Sequence, residues 1–239
     1  MSHLFLVRHG QATFPYQDQD HLTGIGQAQA QLLGCFWAAE KIEFDQVYTG
    51  PCGRHLETAD LAGEVLRDQG LHWPEPVVLD SLNEYQAGAV LNLGQAKLRE
   101  VDDRVGELWL ASKSSTDPKE RERSWNRMFE IILHLWAHEK VQLDGVEPWR
   151  DFCARVDRGI SQIVADGGGG RVVAAFTSGG PIGVAAQRAL QTSTQKTLQM
   201  AWMVRNTSLS EFLFSDERFT LSTFNAFPHL RDPSVLTYR

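Results

Sequence analysis

The sequence predicts a layered α/β fold: a mostly parallel sheet with helices on both faces and a helical insertion near the middle of the chain. Three observations carry that expectation. Short apolar, strand-like runs alternate with stretches of helical period. The alternation stops between Tyr85 and Pro148, where only helical patterns occur. The last two strand-like runs are joined by a polar SDER turn, as in an antiparallel edge hairpin.

The run HLFLV at 3–7 ends at Arg8, His9 and Gly10 and reads as a buried strand entering a glycine turn. A helix is expected from about Thr23 to Lys41, because Ile25, Leu32, Leu33, Phe36 and Trp37 recur at three- and four-residue spacing. FDQVYTG at 44–50 is a second strand, and a second helix from about Arg54 to Gln69 carries Leu56, Ala59, Ala62 and Val65. Pro76 opens a third strand, Val77 to Leu82. The insertion, at about 85–148, contains two helical stretches, about 89–111 and 119–140, joined by SKSSTDPKERER. It holds Trp109, Trp125 and Trp136, which either pack it onto the core or face a substrate or a second subunit. A helix from Trp149 to Val164 follows, then the strand RVVAAF at 171–176, which runs straight into TSGGP and another helix with Pro181 in its first turn. Strands Leu209 to Phe214 and Phe219 to Phe224 complete the sheet. The glycine run at 167–170 precedes its strand, so it reads as a turn and not as a phosphate loop.

A length of 239 residues fits one domain with a full core and a smaller insertion. With 23 Lys and Arg against 30 Asp and Glu, the formal charge is −7, a poor match to a nucleic acid backbone or an anionic membrane. No apolar run is long enough to span a bilayer, and LFLV is too short for a signal-peptide core, so a cytoplasmic location is expected. Cys35, Cys52 and Cys153 are widely spaced and read as reduced thiols. An acidic body that binds an anion must do so through a few local positive groups.

In an open α/β sheet, ligands bind beyond the carboxyl ends of the strands. The polar residues that follow the strand candidates there are Arg8 and His9, then Thr49 with Arg54, then Glu84, then Thr177, Ser178 and Gly179. Two guanidinium forks match phosphate oxygens, and backbone N–H groups at the TSGGP helix start add anion donors. A neutral imidazole can attack phosphorus, and a carboxyl group can protonate the leaving oxygen and later activate water.

These residues also resemble a known family. LVRHGQAT at 6–13 resembles the signature of the histidine phosphatase superfamily, the phosphoglycerate mutase-like proteins. The likeness continues in LTGIGQAQA at 22–30, RHLETA at 54–59, Glu84, NTSLSEFLF at 206–214 and FNAFPHL at 224–230. The resemblance implies a single three-layer phosphoglycerate mutase-like domain over 1–239 and a metal-independent phosphohistidine mechanism without a cofactor. His9 is then the nucleophile, Arg8 and Arg54 hold the phosphoryl group, and Glu84 is the proton donor. Gln11, Thr13, Ser178 and Gly179 join the phosphate-binding set. His134 and His138 lie one helical turn apart but form neither common zinc pattern, so they read as a helix face.

Two positions depart from the family. Ser178 stands where relatives usually carry a second histidine, and the loss of a charged donor would slow chemistry by roughly ten- to more than a hundredfold. Pro15 stands where many relatives carry an asparagine. His229, His21 and His55 are candidates to compensate, although each also reads as an ordinary structural histidine. Three functions follow: a phosphomonoester hydrolase acting on a small phosphorylated molecule or a phosphoprotein, a catalytically impaired phosphate-ligand binding or regulatory protein, and a phosphoglycerate mutase, which must also shield its phosphohistidine from water. The substrate and the oligomeric state are left open by the sequence.

Overall fold

A computed structural model describes residues 1–13, 20–165 and 169–238. Within it the chain forms two compact units, one made of Met1–Glu84 with Ala154–Arg239 and the other of Tyr85–Cys153.

The larger unit is built on a six-stranded sheet with the order β3-β2-β4-β1-β5-β6. Its strands are β1 (Ser2–Arg8), β2 (Gln46–Thr49), β3 (Val77–Val78), β4 (Val172–Thr177), β5 (Leu209–Phe214) and β6 (Phe219–Ala226). The first four are parallel; β5 runs antiparallel to β1, and β6 antiparallel to β5. The expected mostly parallel sheet with an antiparallel hairpin at its edge is what forms. The register sets Arg8 opposite Thr177, and Thr49 opposite Phe176. Three carboxyl ends contributed by distant parts of the chain therefore finish side by side.

Helices α1 (Gly24–Ala39) and α2 (Gly53–Asp68) follow β1 and β2. Thr23 caps α1, its Oγ1 accepting from the Gly26 N–H at 3.1 Å, which satisfies a donor the helix cannot pair internally. Under these helices Trp37, Phe44, Trp73 and Phe176 bury their rings against one another, with Trp37 and Phe44 edge-on at 4.8 Å between centroids.

Two expected elements take a different form, and one helix forms that the sequence pattern does not announce. The third strand stops after Val77 and Val78, and Asp80–Leu82 is a 3₁₀ turn. Both valines are exposed, so no buried face holds the strand extended, and the chain bends to bring Glu84 back toward the sheet. The first helical stretch of the insertion is two helices, α3 (Ala87–Leu98) and α4 (Asp103–Ser114), because Asp102 adopts extended backbone and caps the Arg104 N–H. Finally, α8 (Thr194–Met203) follows α7 (Gly179–Leu190) as a separate helix started by Ser193. Its short, polar sequence gives little periodic signal.

The smaller unit holds α3, α4, α5 (Pro118–Ala137) and the start of α6 (Trp149–Ala165). Met128, Phe129, Ile132, Leu133 and Trp136 line one face of α5 at helical spacing and are buried. Trp136 packs against Tyr85 and Trp149, and the Arg99 guanidinium lies 5.1 Å over the Trp109 ring. Two of the three insertion tryptophans thus serve packing inside this unit. On α5, His138 Nδ1 is 2.9 Å from the His134 carbonyl oxygen, and among the described residues no group of three or more metal-ligating side chains forms. Cys35, Cys52 and Cys153 are free thiols; of the glycine run at 167–170, positions 167 and 168 lie outside the described residues, and Gly170 takes a left-handed φ of 84°, as a turn glycine can. No helix among the described residues is long and apolar enough to cross a membrane.

Candidate active site

At the end of β1 the chain turns through His9 and Gly10, and neighbouring elements hold this turn by its backbone. The His9 N–H donates to the Thr177 carbonyl at 2.9 Å. The His9 carbonyl accepts from Asn206 Nδ2 at 3.0 Å and from the Thr207 N–H at 3.3 Å. The Gly10 N–H donates to Thr58 Oγ1 at 3.0 Å, while that hydroxyl donates to the Arg54 carbonyl at 2.6 Å. A β-carbon on Gly10 would fall 2.5 Å from the Gly26 carbonyl oxygen, so only glycine lets α1 start this close to the turn.

The His9 ring is 2% exposed, and its Nδ1 lies 2.7 Å from the Gly10 carbonyl oxygen. A carbonyl only accepts, so Nδ1 carries the proton and Nε2 keeps its lone pair. Burial first, and then the positive charges of Arg54 and Arg8, hold the imidazole well below its ordinary pKa. The ring is neutral at pH 7, with the unprotonated nitrogen on the side away from its own backbone.

Arg54, in the first turn of α2, is 4% exposed. Its Nη1 forms a salt bridge with Asp20 Oδ1 at 2.6 Å, and Nη2 reaches Ser178 Oγ at 3.4 Å. Arg8 sends Nη1 to the Val204 carbonyl oxygen, which ties that guanidinium to the end of α8. Glu84 follows the 3₁₀ turn, and its Oε2 accepts from the Gly180 N–H at 3.0 Å, in the first turn of α7. That backbone is held in turn. Arg155 Nη1 donates to the carbonyls of Asp80, Ser81 and Asn83 at 3.1, 3.0 and 3.1 Å, and Thr177 Oγ1 donates to the Leu82 carbonyl at 2.6 Å.

Ser178 is the N-cap residue of α7 and is 2% exposed, and Gly179 opens the helix where a β-carbon would meet the Ala201 carbonyl oxygen at 2.7 Å. Ser178 Oγ lies 2.7 Å from His55 Nε2, and the His55 ring centroid is 5.6 Å from that of His9. Of the three histidines considered as substitutes, His55 is the one at the site. His229 is buried behind the turn with Nε2 3.0 Å from Thr207 Oγ1, and the exposed His21 pairs with Glu57 at 3.5 Å. Gln11 Oε1 accepts from Thr23 Oγ1 at 2.9 Å, beside the start of α1. Thr13 is exposed, and Pro15 lies outside the described residues. Sequence pattern alone does not single out Asp20, Thr58, Arg155, Asn206 or Thr207. NTS at 206–208 and the threonine of RHLETA carry only a family resemblance in the sequence, and in the fold they clamp the His9 turn.

The family model of the histidine phosphatase superfamily (branch 1) matches residues 4–226. A 2,3-bisphosphoglycerate-dependent phosphoglycerate mutase from Pelagibacter ubique is 30% identical over 166 residues, covering 65% of this chain and 66% of that protein. A protein of the same description from Corynebacterium efficiens is 34% identical over 127 residues, 48% of each chain. The aligned part thus spans less than two thirds of these relatives. Among solved structures, phosphoserine phosphatase from Entamoeba histolytica, in complex with 3-phosphoglyceric acid, has a TM-score of 0.62 at 16% identity, covering 96% of this chain and 100% of that one. Phosphoglycerate mutase from Bacillus anthracis has a TM-score of 0.63 at 19% identity, with 96% and 95% covered, a likeness of fold. With residues 4–226 inside the family match, the chain belongs to the histidine phosphatase superfamily, branch 1.

Proposed function

We propose that this protein is a metal-independent phosphomonoester hydrolase that works through a phosphohistidine on His9. The observation that carries this reading is the fixed tautomer of His9: with Nδ1 bonded to the Gly10 carbonyl, the Nε2 lone pair is available, and Arg8 and Arg54 are the nearby positive charges. Nε2 attacks phosphorus; the N–P bond forms as the bond to the leaving oxygen breaks, and protonated Glu84 gives its proton to that oxygen. The Glu84 carboxylate then takes a proton from water as the water oxygen attacks phosphorus and the N–P bond breaks. Inorganic phosphate leaves with Glu84 protonated again. The two guanidiniums carry the charge of the equatorial oxygens throughout.

A small phosphorylated molecule or a phosphoprotein fits such a site as substrate. The test is incubation with a ³²P-labelled phosphomonoester: acid-labile label on the wild-type protein that disappears in His9→Ala supports the mechanism, and equal labelling of the two proteins overturns it. The second reading, a phosphate-binding protein with impaired catalysis, is favoured by one contact. Asp20 occupies part of the Arg54 fork, which weakens its pull on a phosphoryl group. That reading predicts phosphate binding without turnover. A mutase, the third, is separated from both by a coupled phosphoglycerate mutase assay.

A further inference from the structure

We propose that Thr237 is a positioning residue for the His9 nucleophile: its hydroxyl bridges the side-chain amides of Asn206 and Gln29, which hold the backbone of the His9 turn on either side. The proposal rests on the phosphohistidine reading for its catalytic meaning, but the grip on the turn is argued from hydrogen bonds alone.

The segment that carries Thr237 has its shape set locally. Asp232 Oδ1 accepts from the Ser234 N–H at 2.9 Å, and Pro233 opens the 3₁₀ turn Pro233–Val235, where a missing N–H costs little. The residues after this turn lie against the stretch that leads into β5. The Asn206 N–H donates to the Thr237 carbonyl at 3.1 Å, Gln29 Nε2 donates to the Val235 carbonyl at 2.7 Å, and the Arg205 guanidinium lies 4.4 Å over the Tyr238 ring.

Thr237 Oγ1 has one proton and two lone pairs. The proton goes to Asn206 Oδ1 at 2.9 Å, and Gln29 Nε2 donates to a lone pair at 2.8 Å. Each amide has its other end on the turn: Asn206 Nδ2 donates to the His9 carbonyl at 3.0 Å, and Gln29 Oε1 accepts from the Gln11 N–H at 2.8 Å. The two ends of an amide are alike in size, so hydrogen-bond partners decide which way it faces. Were Asn206 reversed, its oxygen would face the His9 carbonyl oxygen; were Gln29 reversed, its nitrogen would face the Gln11 N–H. Both amides are fully buried, where such a mismatch is poorly screened. Thr237 sets both, and the His9 ring is aimed from the backbone between them. Arg8 and Arg54 are held separately, by the Val204 carbonyl and by Asp20, so a slack turn costs alignment of the attack more than the hold on phosphate.

The test compares Thr237→Val, which keeps the shape and loses the hydroxyl, with Thr237→Ser, which keeps the hydroxyl. It reads kcat and KM with p-nitrophenyl phosphate, together with hydrogen exchange of the Gln11 backbone amide by NMR, which needs no turnover. Thr237→Val is expected to lower kcat by about five- to thirtyfold with KM within about twofold of the wild type. Exchange at Gln11 is expected to quicken by about tenfold or more, while the amides of β1 exchange as in the wild type. Thr237→Ser should stay within about twofold of the wild type on every measure, since the bridging hydroxyl is retained. Unchanged exchange at Gln11, equal acceleration along β1, or a loss carried by KM and not by kcat overturns the proposal. Should Thr237→Val fail to fold, Arg205→Met, which releases Tyr238 and leaves Asn206 and Gln29 in place, is read by the same criteria. Quicker exchange confined to the turn, in a protein that forms no phosphoenzyme, sinks the hydrolase and keeps the grip of Thr237 on the turn. A wild-type phosphoenzyme with kcat unchanged in Thr237→Val does the reverse.

Discussion

Asp20 Oδ1 lies 2.6 Å from Arg54 Nη1, so the guanidinium that reaches Ser178 is also half of a salt bridge. The arrangement has two opposed effects. The carboxylate orients a long side chain that is nearly buried, yet it places a negative charge within a few ångströms of where a phosphoryl dianion would be held. Asn at position 20 keeps an oxygen that accepts from Arg54 and removes the charge. Asp20→Asn is therefore expected to tighten inorganic phosphate, measured as a competitive inhibitor, by about three- to tenfold, the order of one partly screened charge interaction. An inhibition constant that weakens instead would mean that orientation of Arg54 outweighs the repulsion.

Arg155 acts on Glu84 through the main chain. Its guanidinium holds three carbonyls of the turn that delivers Glu84 to the Gly180 N–H. Arg155→Met keeps much of the side chain's apolar bulk and loses those donors, so the turn relaxes and the carboxyl group drifts. General acid catalysis matters most for poor leaving groups. Turnover of an alkyl phosphate is expected to fall by about tenfold or more, and turnover of p-nitrophenyl phosphate by less than threefold. Equal losses with both substrates would place the effect elsewhere than on leaving-group protonation.

How much of this was legible in the sequence differs between the parts of the site. His9, Arg8, Arg54, Glu84 and Ser178 could be placed together because each follows a strand, and the register that sets Arg8 beside Thr177 produces that convergence. Residues that grip the backbone could not be read in the same way. Arg155 donates to carbonyls, Asn206 to the His9 carbonyl and Thr58 accepts from Gly10, and a carbonyl or an amide leaves no mark on residue identity. The third strand is shorter than the sequence suggests for a related reason: a run of apolar letters does not reveal that Val77 and Val78 are exposed. The His55 contact with Ser178 spans 123 positions, a separation over which helical or strand periodicity carries no information.

Thr58 carries two bonds at once, accepting from Gly10 and donating to Arg54. Val is nearly isosteric and has no hydroxyl. Thr58→Val leaves the Gly10 N–H without its acceptor beside a fully buried side chain, a cost of about 1–3 kcal/mol in folding stability. The His9 turn would also lose one of its anchors, and kcat is expected to fall by about tenfold while the protein remains folded. Chemical denaturation and steady-state kinetics on the same preparation check both parts. A stable variant with full turnover would show that Asn206 and Thr207 hold the turn unaided.

His229 gives a pH prediction whose sign can be worked out. Burial pushes its pKa down from the usual 6.5 to about 4, and its Nε2 stays bonded to Thr207. A histidine with a depressed folded pKa binds fewer protons in the folded state than in the unfolded state between those two values. Its favourable contribution is complete above pH 6.5 and is lost progressively as the pH falls toward about 4. A shift of this size corresponds to about 3 kcal/mol at most. His9 and His55, both depressed mainly by burial, add in the same direction. The unfolding free energy of the wild type is therefore expected to drop steeply on acidification through this window. His229→Gln, which cannot be protonated there, should start less stable at pH 7 but lose less between pH 6.5 and 4, by up to about 3 kcal/mol. Carboxylates titrate alike in the two proteins, so the difference between their denaturation midpoints at each pH isolates His229, and parallel curves would refute a buried neutral imidazole at that position.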